Sequence, residues 1–142
     1  MAVRPNVSVS TITPPAVELL CKTCQVTRTD TVAFEAFSLP AGVVLAGVYV
    51  MGQTASDSNT SASISVGSNP GTTNEVLVAF DVKGATGAGY YAAEATAGTS
   101  VGTKLTADTL IKAKYTESGT ASTGGPWLVK CEYYFPPSGM PY

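Results

Sequence analysis

Four stretches of this chain hold residue types whose spacing invites a chemical reading. Gly98-Thr99-Ser100-Val101-Gly102 has the G-x-S-x-G spacing of a hydrolase nucleophile elbow. Such a serine needs a strand before it, a helix after it and a base to take its proton. The chain has no histidine and no helical pattern follows Val101, so Ser100 reads as a loop residue. Cys21-Lys22-Thr23-Cys24 is a C-x-x-C, with Cys131 as the third cysteine. A structural zinc site needs four ligands, and a redox pair needs a helix N-terminus to lower the thiol pKa. On a strand, residues three apart point to opposite faces, which separates Cys21 from Cys24 and leaves buried, inert thiols as the simpler reading. Gly84-Ala85-Thr86-Gly87-Ala88-Gly89 lacks the Lys-Ser/Thr of a phosphate loop. Asp57-Ser58-Asn59 opens like a calcium loop, but neither the glycine nor the closing glutamate follows. The carboxylates are scattered without an acid/base couple. The expectation is a chain with no catalytic residue, no metal and no cofactor.

The elements that would position such groups are strands throughout. Residues 127–135 alternate, placing Trp127, Val129, Cys131, Tyr133 and Phe135 on one face and Lys130 and Glu132 on the other. Helical 3.6-residue stripes are absent, so the pattern is all-β. Further strands are expected at 6–13, 17–26 and 31–37, the last with Val32 and Phe34 together and Glu35 opposite. Leu39-Pro40-Ala41-Gly42 turns into 43–51, which is apolar on both faces and therefore central. Strand 60–67 turns Ala62, Ile64 and Val66 inward. After the turn Ser68-Asn69-Pro70-Gly71 comes 75–82, with Val76, Val78, Phe80 and Val82 on one face. Tyr90-Tyr91-Ala92-Ala93 is a short strand. Strand 108–116 puts Thr109, Ile111, Ala113 and Tyr115 inward, with Lys112 and Lys114 outward. Residues 117–125 read as a flexible, surface-exposed tip. The number and spacing of strands predict a single-domain β-sandwich, a jelly roll with an Ig-like sandwich as the alternative.

With 142 residues, 44% of them hydrophobic, the chain can bury a core of its own. Charged residues make up only 13%, about half the roughly 25% of ordinary soluble domains, and weak repulsion suits a subunit packed against others. A net charge of -2 and a pI near 4.9 exclude a phosphate-tracking nucleic-acid binder. No secretory signal is visible, and the longest apolar stretch, 43–51, is about half what a membrane helix needs. The organisation is an extended arm at 1–5, a sandwich domain at 6–135 and a Pro-rich tail at 136–142.

Three stretches, in order, resemble the small β-sandwich decoration (cement) proteins of tailed-bacteriophage heads. They are Leu39-Pro40-Ala41-Gly42 running into Gly47-Val48-Tyr49-Val50; Ala62-Ser63-Ile64-Ser65-Val66-Gly67; and Gly102-Thr103-Lys104-Leu105-Thr106-Ala107-Asp108-Thr109. Ala113-Lys114-Tyr115-Thr116 and Ser118-Gly119-Thr120-Ala121 extend the likeness, which covers residues 39–135. The Cys pair and the Pro-rich tail depart from that family's pattern. The resemblance implies a non-enzymatic virion protein made in the host bacterial cytoplasm. It would bind the capsid exterior and bridge neighbouring major capsid subunits as a homo-oligomer, a dimer or trimer. The residues expected to touch partners are in the tails: Val3, Arg4, Pro5, Pro136, Pro137, Met140 and Tyr142. Proline-rich arms reach a neighbour at low entropic cost. The alternative is a fibre or tail module that binds a host-surface glycan or receptor through loops 52–59 and 117–125 and exposed tyrosines.

Overall fold

The computed structural model describes residues 17–52, 54–69, 73–83, 91–93 and 101–137. They form eight strands: β1 (Leu20–Val26), β2 (Phe34–Leu39), β3 (Val44–Gly52), β4 (Ser61–Gly67), β5 (Leu77–Asp81), β6 (Tyr91–Ala93), β7 (Thr109–Ser118) and β8 (Trp127–Tyr134). Two four-stranded antiparallel sheets result, ordered β1-β8-β3-β6 and β2-β7-β4-β5. The expected strand at 6–13 lies outside the described residues.

The pairing decides between the two expected topologies. The first strand pairs with the last, the second with the next to last, β3 with β6, and β4 with β5. The chain is thus one long hairpin, folded so that β8 also pairs with β3 and β7 with β4. That rolled hairpin is a jelly roll. Its tip is the β4–β5 turn, where the Thr73 N–H donates to the Asn69 carbonyl at 2.7 Å.

Between the sheets lies one core, in which Val48, Val50, Ile64, Val66, Ile111, Tyr115, Trp127 and Val129 are buried. Burying each large aliphatic side chain contributes about 1.5–3 kcal/mol before the entropy of ordering the chain is subtracted. Ala62, Ile64 and Val66 point inward as expected, as do Ile111, Ala113 and Tyr115. β3 lies inside its sheet, flanked by β8 and β6.

Three departures from the expected faces have local causes. The first is a bulge in β5: Ile64 pairs with Phe80, but Val66 pairs with Leu77, so two residues, Val78 and Ala79, oppose Ser65. Ala79 accommodates this with a φ of 38°. The inward set becomes Leu77, Phe80 and Val82, and Val78 is only half-buried. Secondly, β2 begins at Phe34, so Val32 precedes the sheet and is 78% exposed. Finally, β8 ends at Tyr134, and Phe135, expected inward, is 52% exposed.

Candidate partner-binding interface

Residues 17–19, before β1, and 135–137, after β8, lie at one corner of the sandwich. The last register pair of β1 and β8 there is Leu20 with Tyr133. Just beyond it lie Val17, Leu19 and Phe135, exposed by 45%, 55% and 52%. Large apolar side chains grouped at one spot on a surface poor in charge mark a contact region. Of the residues expected to touch partners, Pro136 and Pro137 follow β8 at this corner and are half-buried. Val3, Arg4, Pro5, Met140 and Tyr142 lie outside the described residues.

Beside the corner, a shallow cleft of about 380 Å³ runs along the seam between the two sheets, lined by Lys22, Ser38, Leu39, Pro40, Asp108 and Tyr133. Lys22 sits on the inward-facing row of β1, and its ammonium donates to the Ser38 carbonyl of β2 at 2.8 Å. On the same side the Ala41 N–H donates to Asp108 Oδ1 at 2.9 Å. These two bonds tie the sheet edges together and hold the 40–43 turn, which makes the corner firm.

At the opposite end of the sandwich lie residues 117–125, read as a flexible, surface-exposed tip: 118–121 and 123 are exposed, but the loop is tied down from within. Ser122 is buried in that loop. Its N–H donates to Glu117 Oε2 at 2.9 Å, its hydroxyl donates to Asp57 Oδ1 at 2.9 Å, and its carbonyl accepts from Arg28 Nη1 at 2.6 Å. Thr123 gives Asp57 two more bonds, from its N–H at 2.6 Å and its hydroxyl at 2.5 Å. Asn59 Oδ1 accepts from the Thr120 N–H at 2.8 Å. Asp57, considered as the opening of a calcium loop, is therefore the latch between the β3–β4 and β7–β8 loops. Among the described residues no group of three His, Cys, Asp or Glu side chains could hold a metal ion.

Hydrogen bonds from Thr123 and Ser122 hold the Asp57 carboxyl far below its ordinary value of 3.8. A depressed folded-state pKa gives stability that is full above the unfolded value and lost as pH falls through the folded one. Asp57→Asn is therefore expected to lower the melting temperature at pH 7. The gap to the parent protein should close progressively below about pH 3.8, a trend visible in thermal melts at stepped pH. A gap that stays constant down to pH 2 would show that charge has no part in the latch.

Other expected groups find plainer roles. Cys21 is exposed, Cys24 half-buried and Cys131 buried, and all three are free thiols. Burial, with help from Asp30, pushes Cys24 up to about 11, and burial with Glu132 pushes Cys131 up to about 12. Neither forms the thiolate that redox or metal chemistry requires near neutral pH. Ser100 and the glycine-rich stretch 84–89 lie outside the described residues. Tyr49, Tyr115, Tyr133 and Tyr134, the tyrosines whose side chains are described, are buried or half-buried, so none offers an exposed stacking platform. Tyr115 instead donates to Glu117 Oε2 at 2.8 Å within the core wall, and burial raises its phenol pKa. Sequence reasoning missed the partnership of Asp57 with Ser122 and Thr123, because 65 or 66 residues separate the partners and no local pattern marks it.

No protein-family model matches this chain, and no curated protein matches it. Solved structures do. A chain of the cyanophage Pam1 capsid asymmetric unit superposes with a TM-score of 0.60 at 21% identity, over 84% of this chain and 85% of that one. A chain of the acidic stable capsid structure of Helicobacter pylori bacteriophage KHP30 gives a TM-score of 0.53 at 16% identity, over 84% of this chain and 89% of that one. The likeness is one of fold. It covers most of this chain and of both neighbours.

Proposed function

We propose that this chain is a non-enzymatic virion protein that binds the outer surface of a phage capsid and stabilises it by bridging neighbouring major capsid subunits. One observation carries the reading. A jelly roll like that of chains in phage capsid structures places the residues before β1 and after β8 at a single corner with exposed Val17, Leu19 and Phe135. A rigid sandwich flanked by Pro-rich terminal segments can hold one subunit through its body or corner and reach another through a terminal segment. Linked contacts raise one another's effective concentration, so modest individual affinities combine into stable occupancy. A clip that binds the assembled shell and not its separated subunits stabilises the shell by mass action. Packaged nucleic acid pressing outward would then work against the clip as well as the shell. Synthesis in the host cytoplasm, addition to the capsid exterior and action as a homo-oligomer complete the reading.

The test is binding to purified capsids stripped of this protein, read by co-sedimentation and by cryo-electron microscopy. Full-length chain is expected to restore ordered density on the outer surface. Deleting residues 136–142 should lower occupancy at a fixed concentration by about tenfold or more. Full occupancy after deletion would remove the tail from the mechanism, and no binding by the full chain would refute the reading. A glycan- or receptor-binding module would need loops 52–59 and 117–125 to present their polar groups outward. Many of those groups bond one another instead, and no observation favours that reading.

A further inference from the structure

β1 is the outer strand of its sheet. It pairs with β8 on one side, and among the described residues no backbone hydrogen bond closes its other side. Exposed edges are usually protected by proline, a bulge or an outward charge. β1 has none of these. Its seven residues pair with β8 without a register shift, and it contains no proline. Its one charged residue, Lys22, has its ammonium on the Ser38 carbonyl of the other sheet. The exposed side chains are Cys21, Thr23 and Gln25, all uncharged in their ordinary forms. Such an edge is a template for another strand.

The chain carries a matching segment. Residues 6–13, close to β1 in length, alternate Val7 and Val9 with Ser8 and Ser10 and end in Thr11-Ile12-Thr13, an uncharged run of strand-forming residues. We infer that residues 6–13 of one copy add as an antiparallel strand to the open edge of β1 in a second copy, reciprocally, to make a two-fold dimer.

Exchange is favoured over folding back by the connection between the two segments. To pair with its own β1, residues 6–13 would have to reverse direction within residues 14–19. Thr13 and Pro14 both precede a proline, which restricts them to extended conformations. Pro14 and Pro15 have fixed φ. Val17, Glu18 and Leu19 make no turn or bend. Little in residues 14–19 is suited to build a reversal, which favours the edge of a second copy over the chain's own.

An unreversed connection suits a two-fold axis. With segment and β1 following each other in one direction, a partner rotated by 180° would present its β1 antiparallel to the segment and its segment antiparallel to β1. The two connections then pass each other at the axis, and Val17 and Leu19 of both copies meet there. This accounts for two exposed apolar side chains directly before β1. The interface closes on itself, which gives a dimer and not a fibre.

The experiment uses the full chain in solution, and because no capsid is present its outcome is independent of the capsid reading. Size-exclusion chromatography with light scattering is expected to give twice the 14.5 kDa chain mass at micromolar concentration. The double variant Ser8→Pro/Val9→Pro should give the single-chain mass while still melting cooperatively, which shows that the sandwich itself folds. Successive residues of a strand direct their N–H groups to opposite sides, so one of the two prolines must face β1 and remove a ladder bond. Native Cys21 reports the pairing directly. Thr11→Cys or Thr13→Cys, lightly oxidised with copper and air, should yield interchain disulfide-linked dimers that disappear when Cys21→Ser is added. A monomeric full-length chain, a dimer that survives both prolines, or a link formed only within one chain would overturn the inference.

Discussion

Replacing Trp127 by alanine is expected to destabilise the protein by about 3–5 kcal/mol, the largest loss for any single side chain here. Trp127 is 1% exposed and opens β8 at the latched end of the sandwich. Its ring stacks on Tyr115 with centroids 5.2 Å apart and planes at 13°, a contact worth about 0.5–1.5 kcal/mol beyond the buried area. Two glycines are fitted to it. A Cβ on Gly52 would sit 2.3 Å from Trp127 Cδ1, and one on Gly125 would sit 2.8 Å from Cζ3. Since both are backbone, neither can move in to fill the space an alanine leaves, and the cavity term applies in full. Among the described residues the indole Nε1 has no hydrogen-bond partner, so Trp127→Phe, which removes that group, should cost much less than Trp127→Ala. Urea denaturation of the three proteins would check the order. An alanine variant within 1 kcal/mol of the parent would mean that Trp127 does not anchor the core.

Gly124→Ala is the second large effect, expected at about 1–3 kcal/mol. Here the obstacle is backbone. A Cβ at position 124 would lie 2.1 Å from the Ala55 carbonyl oxygen and 2.8 Å from its carbon. The β3–β4 and β7–β8 loops would have to separate at the point where the Gly125 N–H donates to Thr54 O and Asp57 holds Ser122 and Thr123. Gly102 gives the matched control. It has open space around its missing Cβ but a φ of 78°, so Gly102→Ala carries only the conformational penalty, about 1 kcal/mol. The two variants should also differ in kind. Gly124→Ala should speed proteolysis within 53–60 and 117–126 in limited digestion, whereas Gly102→Ala should leave those loops protected. Equal protection in both would place the loop contact outside the stability of this end.

The capsid reading and the strand-exchange inference join at the same corner. If both hold, residues 6–13 tie copies of the chain to each other, while residues 136–142 remain available for the shell. The two sets of variants act on different segments and can be scored separately, by mass in solution and by occupancy on capsids.

Several features were legible in the residues before any fold was known. Alternation in 127–135, 108–116 and 60–67 assigned the inward faces of β8, β7 and β4, because side-chain direction in a strand has period two wherever the ladder is regular. The uninterrupted apolar run at 43–51 marked an interior strand. The C-x-x-C spacing already implied that Cys21 and Cys24 face opposite ways, as one exposed and one half-buried thiol now show. Alternation failed at Val78, where a bulge shifts the register by one residue, and at Val32 and Phe135, which lie past the ends of their ladders.

Sequence alone thus determined the all-β class, most of the inward faces and the strand content, since these follow from local periodicity and turn chemistry. Tertiary structure alone decided that β1 lies beside β8, that residues 17–19 and 135–137 meet at one corner and that Asp57 closes the loop at Ser122 and Thr123. Those facts depend on which distant segments meet. Pairing energy between strands is nearly generic in backbone terms, so the choice of partner belongs to the packed whole and is written in no single stretch of the chain.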